Sequence, residues 1–163
     1  MSGFKIGIIS DTHRDFQTAY RAIEKMGKID YLFHAGDYVG DAEDLAYCLD
    51  IPIIAVLGNG DYGRPGHYEQ FITLNGCRIW LTHGHLYGVK AGLNRLVQQA
   101  KKNEADLVIY GHTHLADVQK IDGITFLNPG SIRYPLSSKG PSFAIADIDA
   151  GKKINIHTFY LNS

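Results

Sequence analysis

The sequence predicts a single α/β domain, and three observations lead to this prediction. The chain has 163 residues, a length that suits one domain. In its first third, short apolar runs rich in β-branched residues alternate with amphipathic segments, which indicates parallel strands covered by helices. The later part contains turn dipeptides typical of antiparallel hairpins. We find neither a repeat nor a linker, so the predicted domain spans residues 1–163.

The first sixty residues predict a βαβαβ unit. Residues 4–10, 31–35 and 53–57 are short apolar runs, each typical of a buried strand. Residues 15–26 place their apolar side chains on one helical face, and a glycine follows at the expected end of the helix. Asp41 is expected to cap a second helix that ends before the third strand.

Turn signals organise the rest of the chain. Asn75-Gly76 separates two strand-like runs, which is a strong signal for a two-residue hairpin. Residues 89–102 have helical periodicity, and residues 106–110 form another apolar run. Further hairpins are expected to turn at Asp122-Gly123 and Ala150-Gly151. Parallel pairing is therefore predicted early in the chain and antiparallel pairing late.

Composition excludes several classes of protein. The formal charge is −1, from 16 basic and 17 acidic residues, and the basic residues are scattered, so nucleic acid is not an expected partner. The apolar runs are too short to cross a bilayer, and no signal peptide is apparent. Cys48 and Cys77 form no paired motif, which favours reduced thiols. We therefore expect a cytoplasmic protein.

Chemically active side chains follow five of the predicted strands, usually beside a glycine that allows a tight turn. In open α/β sheets, ligands bind beyond the carboxyl ends of the strands, so these loops are expected to converge. Each short motif is weak alone, since Asp-Thr-His or Gly-Asp also occurs in ordinary turns. Their joint placement is the strong signal. The candidate metal ligands are Asp11, His13, Asp37, Asn59, His83, His112 and His114.

This ligand chemistry indicates two metal ions. Imidazole and carboxylate ligands without thiolate suit Mn²⁺, with Ni, Fe, Zn or Co as alternatives. Seven ligands exceed what one ion takes from a protein, but one bridging carboxylate would give two sites of four ligands each. Two ions about 3.5–4 Å apart can activate a water and clamp an in-line displacement at phosphorus. Such a centre would keep a positive charge and attract a phosphate ester.

The motifs resemble those of the calcineurin-like metallophosphoesterases, and most closely the small YfcE-type phosphodiesterase subgroup. The resemblance covers nearly the whole chain. It implies a four-layer α/β/β/α sandwich of two mixed sheets with flanking helices. The motifs that carry it are Asp11-x-His13, Gly36-Asp37, Gly58-Asn59-x-Asp61, His83-Gly84-His85, Gly111-His112-x-His114 and Asn128-Pro129-Gly130-Ser131.

The resemblance also implies ligand assignments and an activity. The chain is expected to be a metal-dependent phosphodiesterase in which a hydroxide bridging the two metals attacks phosphorus in line. Asp37 would bridge the ions and is therefore counted among the catalytic residues with Asn59. The first metal would take Asp11, His13, Asp37 and His114, and the second Asp37, Asn59, His83 and His112.

One position departs from the family pattern. Typical members carry a histidine after the Gly-Asn pair, paired with the acid at position 61 and thought to protonate the leaving group, and here Gly60 stands in its place. Asp61 and His85 stay candidate catalytic residues; for His85 a substrate contact and a plain loop position are equally open. A turn and a solvated cation are favoured for Ser131 and Arg133, although Arg133 can also hold a phosphate oxygen. His34 is expected to be a hydrogen-bonded core residue.

Two other functions compete with hydrolysis. The same fold serves in the retromer complex as a protein-binding scaffold, but a pure scaffold has no physical reason to retain all seven ligands. A nuclease of this family is disfavoured by the charge. A small phosphate ester is the expected substrate and no membrane partner is expected, and the subgroup suggests a homo-oligomer, either dimer or tetramer. The physiological substrate and the native metal are open.

Overall fold

Two five-stranded sheets and three helices make up the fold. A computed structural model describes residues 3–162. The helices are α1 (Phe16–Met26), α2 (Val39–Ala46) and α3 (Asn94–Lys102). The strands are β1 (Phe4–Ile9), β2 (Tyr31–His34), β3 (Ile53–Ala55), β4 (Glu69–Leu74), β5 (Cys77–Thr82), β6 (Leu107–Ile109), β7 (Ala116–Ile121), β8 (Ile124–Pro129), β9 (Ser142–Ile148) and β10 (Ile154–Tyr160).

Both sheets are mixed. The first has the order β10-β9-β1-β2-β3 and the second the order β4-β5-β6-β8-β7. The predicted parallel pairing of β1, β2 and β3 is confirmed. The second sheet differs from the sequence-based expectation, because β5, β6 and β8 are also parallel. Antiparallel hairpins only extend this parallel centre at its two edges.

The sheets pack face to face, with helices on both outer surfaces. Ile8 of β1 and Leu81 of β5 are buried between the sheets. The next residue of β1, Ile9, points the opposite way and packs with the apolar face of α1. On the other side, α3 covers the second sheet through residues such as Leu96, which packs near Trp80. This arrangement confirms the four-layer α/β/β/α sandwich.

Two sequence-based expectations about the helices were wrong. The helix expected over residues 89–102 begins only at Asn94, because Gly88 and Gly92 have φ of 60° and 142° and interrupt the preceding segment. Asp41 does not cap α2, which begins at Val39. Its carboxylate instead accepts a hydrogen bond from the Arg14 backbone N–H at 2.9 Å and so fastens the loop after β1.

The predicted hairpins are present. Asn75 and Gly76 both have positive φ, as do Asp122 and Gly123, which is the backbone that a two-residue turn between twisted strands requires. The turn near Ala150-Gly151 joins β9 to β10. Within residues 3–162, no helix is long and apolar enough to cross a membrane.

Candidate metal centre

Five loops meet at one edge of the sandwich. They are the loops that follow β1, β2, β3, β5 and β6. The structure brings all seven predicted metal ligands there. Six of them form two groups whose nitrogen and oxygen atoms lie within 4.8 Å of one another. The first group is Asp11, His13 and His114, and the second is Asp37, His83 and His112.

The backbone at these ligands is unusual. Five of the seven lie in the left-handed region, with φ between 40° and 72°, although none of them is glycine. This conformation is costly for residues with a side chain and persists only where the surrounding structure enforces it. Such conformations at several residues of neighbouring loops support a functional site at this edge. The five are Asp11, His13, Asp37, His112 and His114.

Each of the two carboxylates has one oxygen held by the protein and one directed towards histidines. Asp11 Oδ2 accepts hydrogen bonds from Ser10 Oγ (2.7 Å) and the His112 backbone N–H (3.2 Å), while Oδ1 lies 3.2 Å from His114 Nε2. Asp37 Oδ1 accepts from the Gly60 N–H at 2.7 Å, and Oδ2 lies 3.4 Å from His83 Nε2. One face of each carboxylate is therefore free for a cation.

Both carboxylates lie between the two groups. Asp37 Oδ2 is 3.7 Å from His13 Nε2, a member of the other group. Asp11 Oδ1 is likewise 3.8 Å from His83 Nε2. The two sets of ligands are thus close enough to share an anion, as two neighbouring metal ions require.

Backbone carbonyls orient two of the histidines. His83 Nδ1 is 2.7 Å from the Ala35 carbonyl oxygen, and His114 Nδ1 is 2.8 Å from the Tyr134 carbonyl oxygen. If Nδ1 carries the proton and donates it to the carbonyl, Nε2 keeps its lone pair and directs it towards the carboxylates. Asn59 Oδ1 lies 3.1 Å from His83 Nε2 and joins the second group. This is the orientation of metal-ligating imidazole.

Unpaired buried atoms show that the site fits a metal. Across the described residues, only four buried side-chain polar atoms lack a hydrogen-bond partner, and two of them are Asp11 Oδ1 and His13 Nε2. Leaving a buried polar atom unpaired costs free energy unless a ligand satisfies it. Both atoms belong to the first group of candidate ligands, where a divalent cation would satisfy them.

Three glycines are needed because candidate metal ligands, or a residue bonded to one, lie directly against them. A Cβ on Gly58 would overlap Asp37 Oδ1 and lie 2.7 Å from the Asp37 backbone nitrogen. A Cβ on Gly111 would meet Ser10 Oγ and approach Asp11 Oδ2 to 2.9 Å, and one on Gly36 would lie 2.7 Å from His83 Nδ1. These glycines let the loops approach one another closely.

Asp61 supports the loops through hydrogen bonds to their backbone. It is buried, and its carboxylate accepts three backbone N–H groups, from Asp37 (3.1 Å), Val39 (2.8 Å) and Gly58 (2.8 Å). With these acceptor positions occupied, Asp61 connects the loop after β2 to the loop after β3. The geometry therefore favours a positioning role over direct proton transfer.

His85 lies at the edge of the second group. Its ring centroid is 5.4 Å from that of His83 and 6.1 Å from that of His112, and its Nδ1 is another buried atom without a partner. Burial, together with the nearby His83, lowers the pKa of His85. At neutral pH it can therefore offer a hydrogen bond to substrate but stores no extra proton.

The remaining predicted residues have structural partners. Ser131 is buried, donating to the Asp11 carbonyl oxygen and accepting from the Tyr134 N–H, both at 2.9 Å. The Arg133 side chain is exposed and lies 3.7 Å from Asp15. His34 is fully buried and bonded to Thr12 and Gly36, which confirms the prediction of a core histidine.

Sequence reasoning missed Tyr134. Its ring centroid lies 5.2 Å from that of His13, its ring is nearly parallel to that of His114, and its carbonyl orients the His114 imidazole. Tyr134 lies five residues beyond the end of β8 and belongs to none of the motifs. Only the folded path of the loop after β8 places it beside the site.

The carboxylates and histidines shift one another's pKa. Burial opposes charge on Asp11 and Asp37, but the nearby histidines outweigh it and lower the pKa of both carboxyl groups. Burial likewise opposes the charged form of His83, but Asp37 and Asp11 raise its pKa. The nearby Asp11 carboxylate raises the pKa of His114. For His112, burial and then His83 lower the pKa to about 4.

These shifts predict that metal binding strengthens as pH rises. His83 and His114 have raised pKa values and must lose a proton before they bind a cation, whereas His112 is already neutral near pH 7. The Mn²⁺ affinity of the metal-free protein should therefore weaken as the pH falls through the raised pKa values of His83 and His114, which lie above the ordinary histidine value of about 6.5. Titration calorimetry in buffers of different ionisation enthalpy would measure both the affinity and the protons released. A pH-independent affinity without proton release would contradict this assignment.

Comparison with known proteins agrees with the geometry. Residues 4–151 match the calcineurin-like phosphoesterase superfamily domain. YsnB of Bacillus subtilis, described as a probable metallophosphoesterase, is 33% identical over 145 residues, covering 87% of this chain and 83% of YsnB. A phosphodiesterase of Methanocaldococcus jannaschii is 31% identical over 147 residues, covering 77% of this chain and 82% of its own length.

Two further relatives bear on the subgroup and the fold. The phosphodiesterase YfcE of Escherichia coli is 36% identical over 106 residues, covering 60% of this chain and 53% of YfcE. The structure of vacuolar protein sorting 29 from Cryptosporidium parvum superposes with a TM-score of 0.76 at 20% identity, covering 98% of this chain and all of the other. At that identity the second comparison shows the fold alone.

Proposed function

Because the chain belongs to the calcineurin-like phosphoesterase family, we propose that it is a phosphodiesterase that hydrolyses small phosphodiesters at a centre of two divalent metal ions. One observation carries the proposal. Two groups of metal-ligating side chains lie side by side, with both carboxylates between them. Relatives described as phosphodiesterases support the choice of diesters.

Two divalent ions bound at this centre would supply a hydroxide for in-line attack on phosphorus and would offset the negative charge of the phosphate. The residues of the chain would hold them as follows. Asp11, His13 and His114 would bind one ion; His83, His112 and Asn59 would bind the other, with Asp37 shared. Asp61 keeps the loops in place, and His85 would contact the substrate. Because all seven candidate ligands are present, hydrolysis is favoured over a role as a protein-binding scaffold.

The test combines chelation with loss of single ligands. We expect hydrolysis of bis(4-nitrophenyl) phosphate to stop on chelation and to return with Mn²⁺. Asp11→Ala should lower occupancy of one metal, whereas Asn59→Ala and His112→Ala should lower occupancy of the other, because the two sites share only Asp37. Each variant would be loaded with limiting amounts of Mn²⁺ and Zn²⁺ in competition. Elemental analysis of the bound metals would then distinguish the two sites. Unchanged hydrolysis in the chelated protein would contradict the proposal.

The glycine at position 60 predicts that the rate of hydrolysis depends strongly on the leaving group. A positioned general acid typically contributes about 10²–10⁴-fold to the rate, and no side chain at position 60 can supply the proton here. Diesters of acidic phenols should therefore react well and alkyl esters poorly. The measurement is the rate constant against leaving-group pKa at fixed metal loading. A shallow dependence in the wild-type protein would reveal a general acid and contradict this explanation.

Gly60→His provides the matching variant. The φ of Gly60 is not positive, so the backbone of the turn is compatible with a side chain at this position. Its Cβ would lie 3.1 Å from Asp37 Oδ1, a tight contact that needs a small adjustment. The variant should accelerate esters with poor leaving groups more than nitrophenyl esters.

A further inference from the structure

His34 is the last residue of β2, and its fully buried side chain contacts two of the loops that carry candidate metal ligands. Its ring Nε2 lies 2.9 Å from Thr12 Oγ1, and its Nδ1 lies 3.1 Å from the backbone nitrogen of Gly36. In the sequence, Thr12 lies between two ligands of the first group, and Gly36 directly precedes a ligand of the second. One imidazole therefore connects the two groups.

The two hydrogen bonds of the His34 ring fix its tautomer. A backbone N–H can only donate, so Nδ1 accepts from Gly36 and carries no proton. Nε2 then carries the proton of the neutral ring and donates it to Thr12 Oγ1. Burial lowers the pKa of His34, so the ring stays neutral near pH 7. This tautomer is the opposite of the one that orients His83 towards the carboxylates.

The hydrogen bond from Gly36 acts on the second group through a single peptide unit. The Gly36 N–H and the Ala35 carbonyl belong to the same planar trans peptide, so they point in opposite directions. The N–H donates to His34 Nδ1, while the carbonyl oxygen lies 2.7 Å from His83 Nδ1. Holding one end of this peptide therefore fixes the direction of the carbonyl that orients His83.

The hydrogen bond to Thr12 acts on the first group. Thr12 is fully buried, and its hydroxyl contacts His34 and, at 3.5 Å, the Tyr38 carbonyl oxygen. The ligands on either side of it, Asp11 and His13, have φ of 53° and 40°, a strained conformation that the surrounding structure must enforce. A bond from β2 to the residue between them holds this turn in place.

We propose that His34 is a positioning residue for both metal ions, acting on the first group through Thr12 and on the second through the Ala35–Gly36 peptide and His83. The inference rests on the proposed two-metal centre. Each nitrogen of the ring supports a different group of ligands. Loss of a partner that orients a metal ligand typically lowers metal affinity by about 10–100-fold. Removing one nitrogen of His34 at a time should therefore weaken one ion at a time.

Two amide variants replace the ring nitrogens separately. His34→Asn keeps an acceptor near the place of Nδ1 but is too short to reach Thr12, whereas His34→Gln keeps a donor near the place of Nε2 and lacks the acceptor for Gly36. Thr12→Val removes the same hydrogen bond as His34→Asn, from the other partner and with little change in volume. The control is His157→Gln, at an exposed histidine on β10.

Calorimetric titration of the metal-free full chain with Mn²⁺ measures the Kd of each ion, and Asp11→Ala and His112→Ala assign the two values. We expect His34→Asn and Thr12→Val to weaken the first ion by about 10–100-fold and the second much less. His34→Gln should show the reverse, and His157→Gln should bind both ions as the wild-type protein does. Both amides are smaller than the ring and should lower the unfolding temperature, so only the difference between the two ions separates positioning from packing.

Nitrogen chemical shifts of the histidine rings, measured by NMR in the metal-free protein, give a readout that needs no bound ion. In the wild-type protein, His34 should carry its proton on Nε2 and none on Nδ1. The signals of the His83 ring should shift in His34→Gln and stay in place in His34→Asn. The wild-type measurement tests the tautomer even where a variant does not fold.

The outcomes separate this inference from the proposed function. A proton on His34 Nδ1, or equal effects of His34→Asn and His34→Gln on the two ions, would overturn the positioning role and leave the two-metal centre intact. A wild-type protein that binds no Mn²⁺ would instead contradict the proposed function. In that case, a selective shift of the His83 signals in His34→Gln would still support the orientation of His83 by His34.

Discussion

Replacing Asp37 with alanine is expected to lower diester hydrolysis by roughly 10³-fold or more, equivalent to about 4 kcal/mol of transition-state stabilisation. The Asp37 carboxylate lies 3.4 Å from His83 Nε2 in its own group and 3.7 Å from His13 Nε2 in the other. Without it, two cations would face each other with one anion fewer between them. Steady-state kinetics and elemental analysis should show loss of both activity and metal.

Asp44→Ala is the matched control. Asp44 is an exposed aspartate on α2, seven positions further along the chain, so its removal changes the formal charge equally without touching the site. It should retain the metal content and rate of the wild-type protein. An Asp37→Ala protein with two metals per chain and full activity would show that Asp37 is not the shared ligand.

Gly58→Ala is expected to have the second-largest effect although it adds only one methyl group. The added Cβ would overlap Asp37 Oδ1 and lie 2.7 Å from the Asp37 backbone nitrogen, so rotating a side chain cannot relieve the contact. Overpacking of this kind typically costs about 1–3 kcal/mol. Disturbing groups that support a metal ligand typically lowers metal affinity by about 10–100-fold. Thermal unfolding and metal titration would measure both effects.

The same loop provides the comparison. Gly60→Ala adds its methyl group 3.1 Å from Asp37 Oδ1 rather than in overlap with it, and neither glycine has a positive φ. The effect of Gly58→Ala should therefore clearly exceed that of Gly60→Ala in both assays. Equal effects would indicate that the close approach of Gly58 to Asp37 does not control the metal centre.

Local sequence signals predicted most of the fold correctly because they depend on short-range physics. The two-residue turns at Asn75-Gly76 and Asp122-Gly123 need only a positive φ and strands that flank them. The helix expected from residue 89 failed for an equally local reason, since Gly88 and Gly92 break it. The parallel centre of the second sheet was not anticipated, because β6 pairs with β8 although β7 lies between them in the sequence.

The sequence by itself determined the identity of the candidate ligands, because each follows a short apolar strand and parallel strands end at a shared edge. Tertiary structure alone decided the geometry at that edge. It holds Asp11 and Asp37 in left-handed conformations and supplies the carbonyl of Tyr134 to His114. It also directs the Asp61 carboxylate to three backbone N–H groups. These features depend on contacts between segments far apart in the chain, which local sequence patterns do not specify.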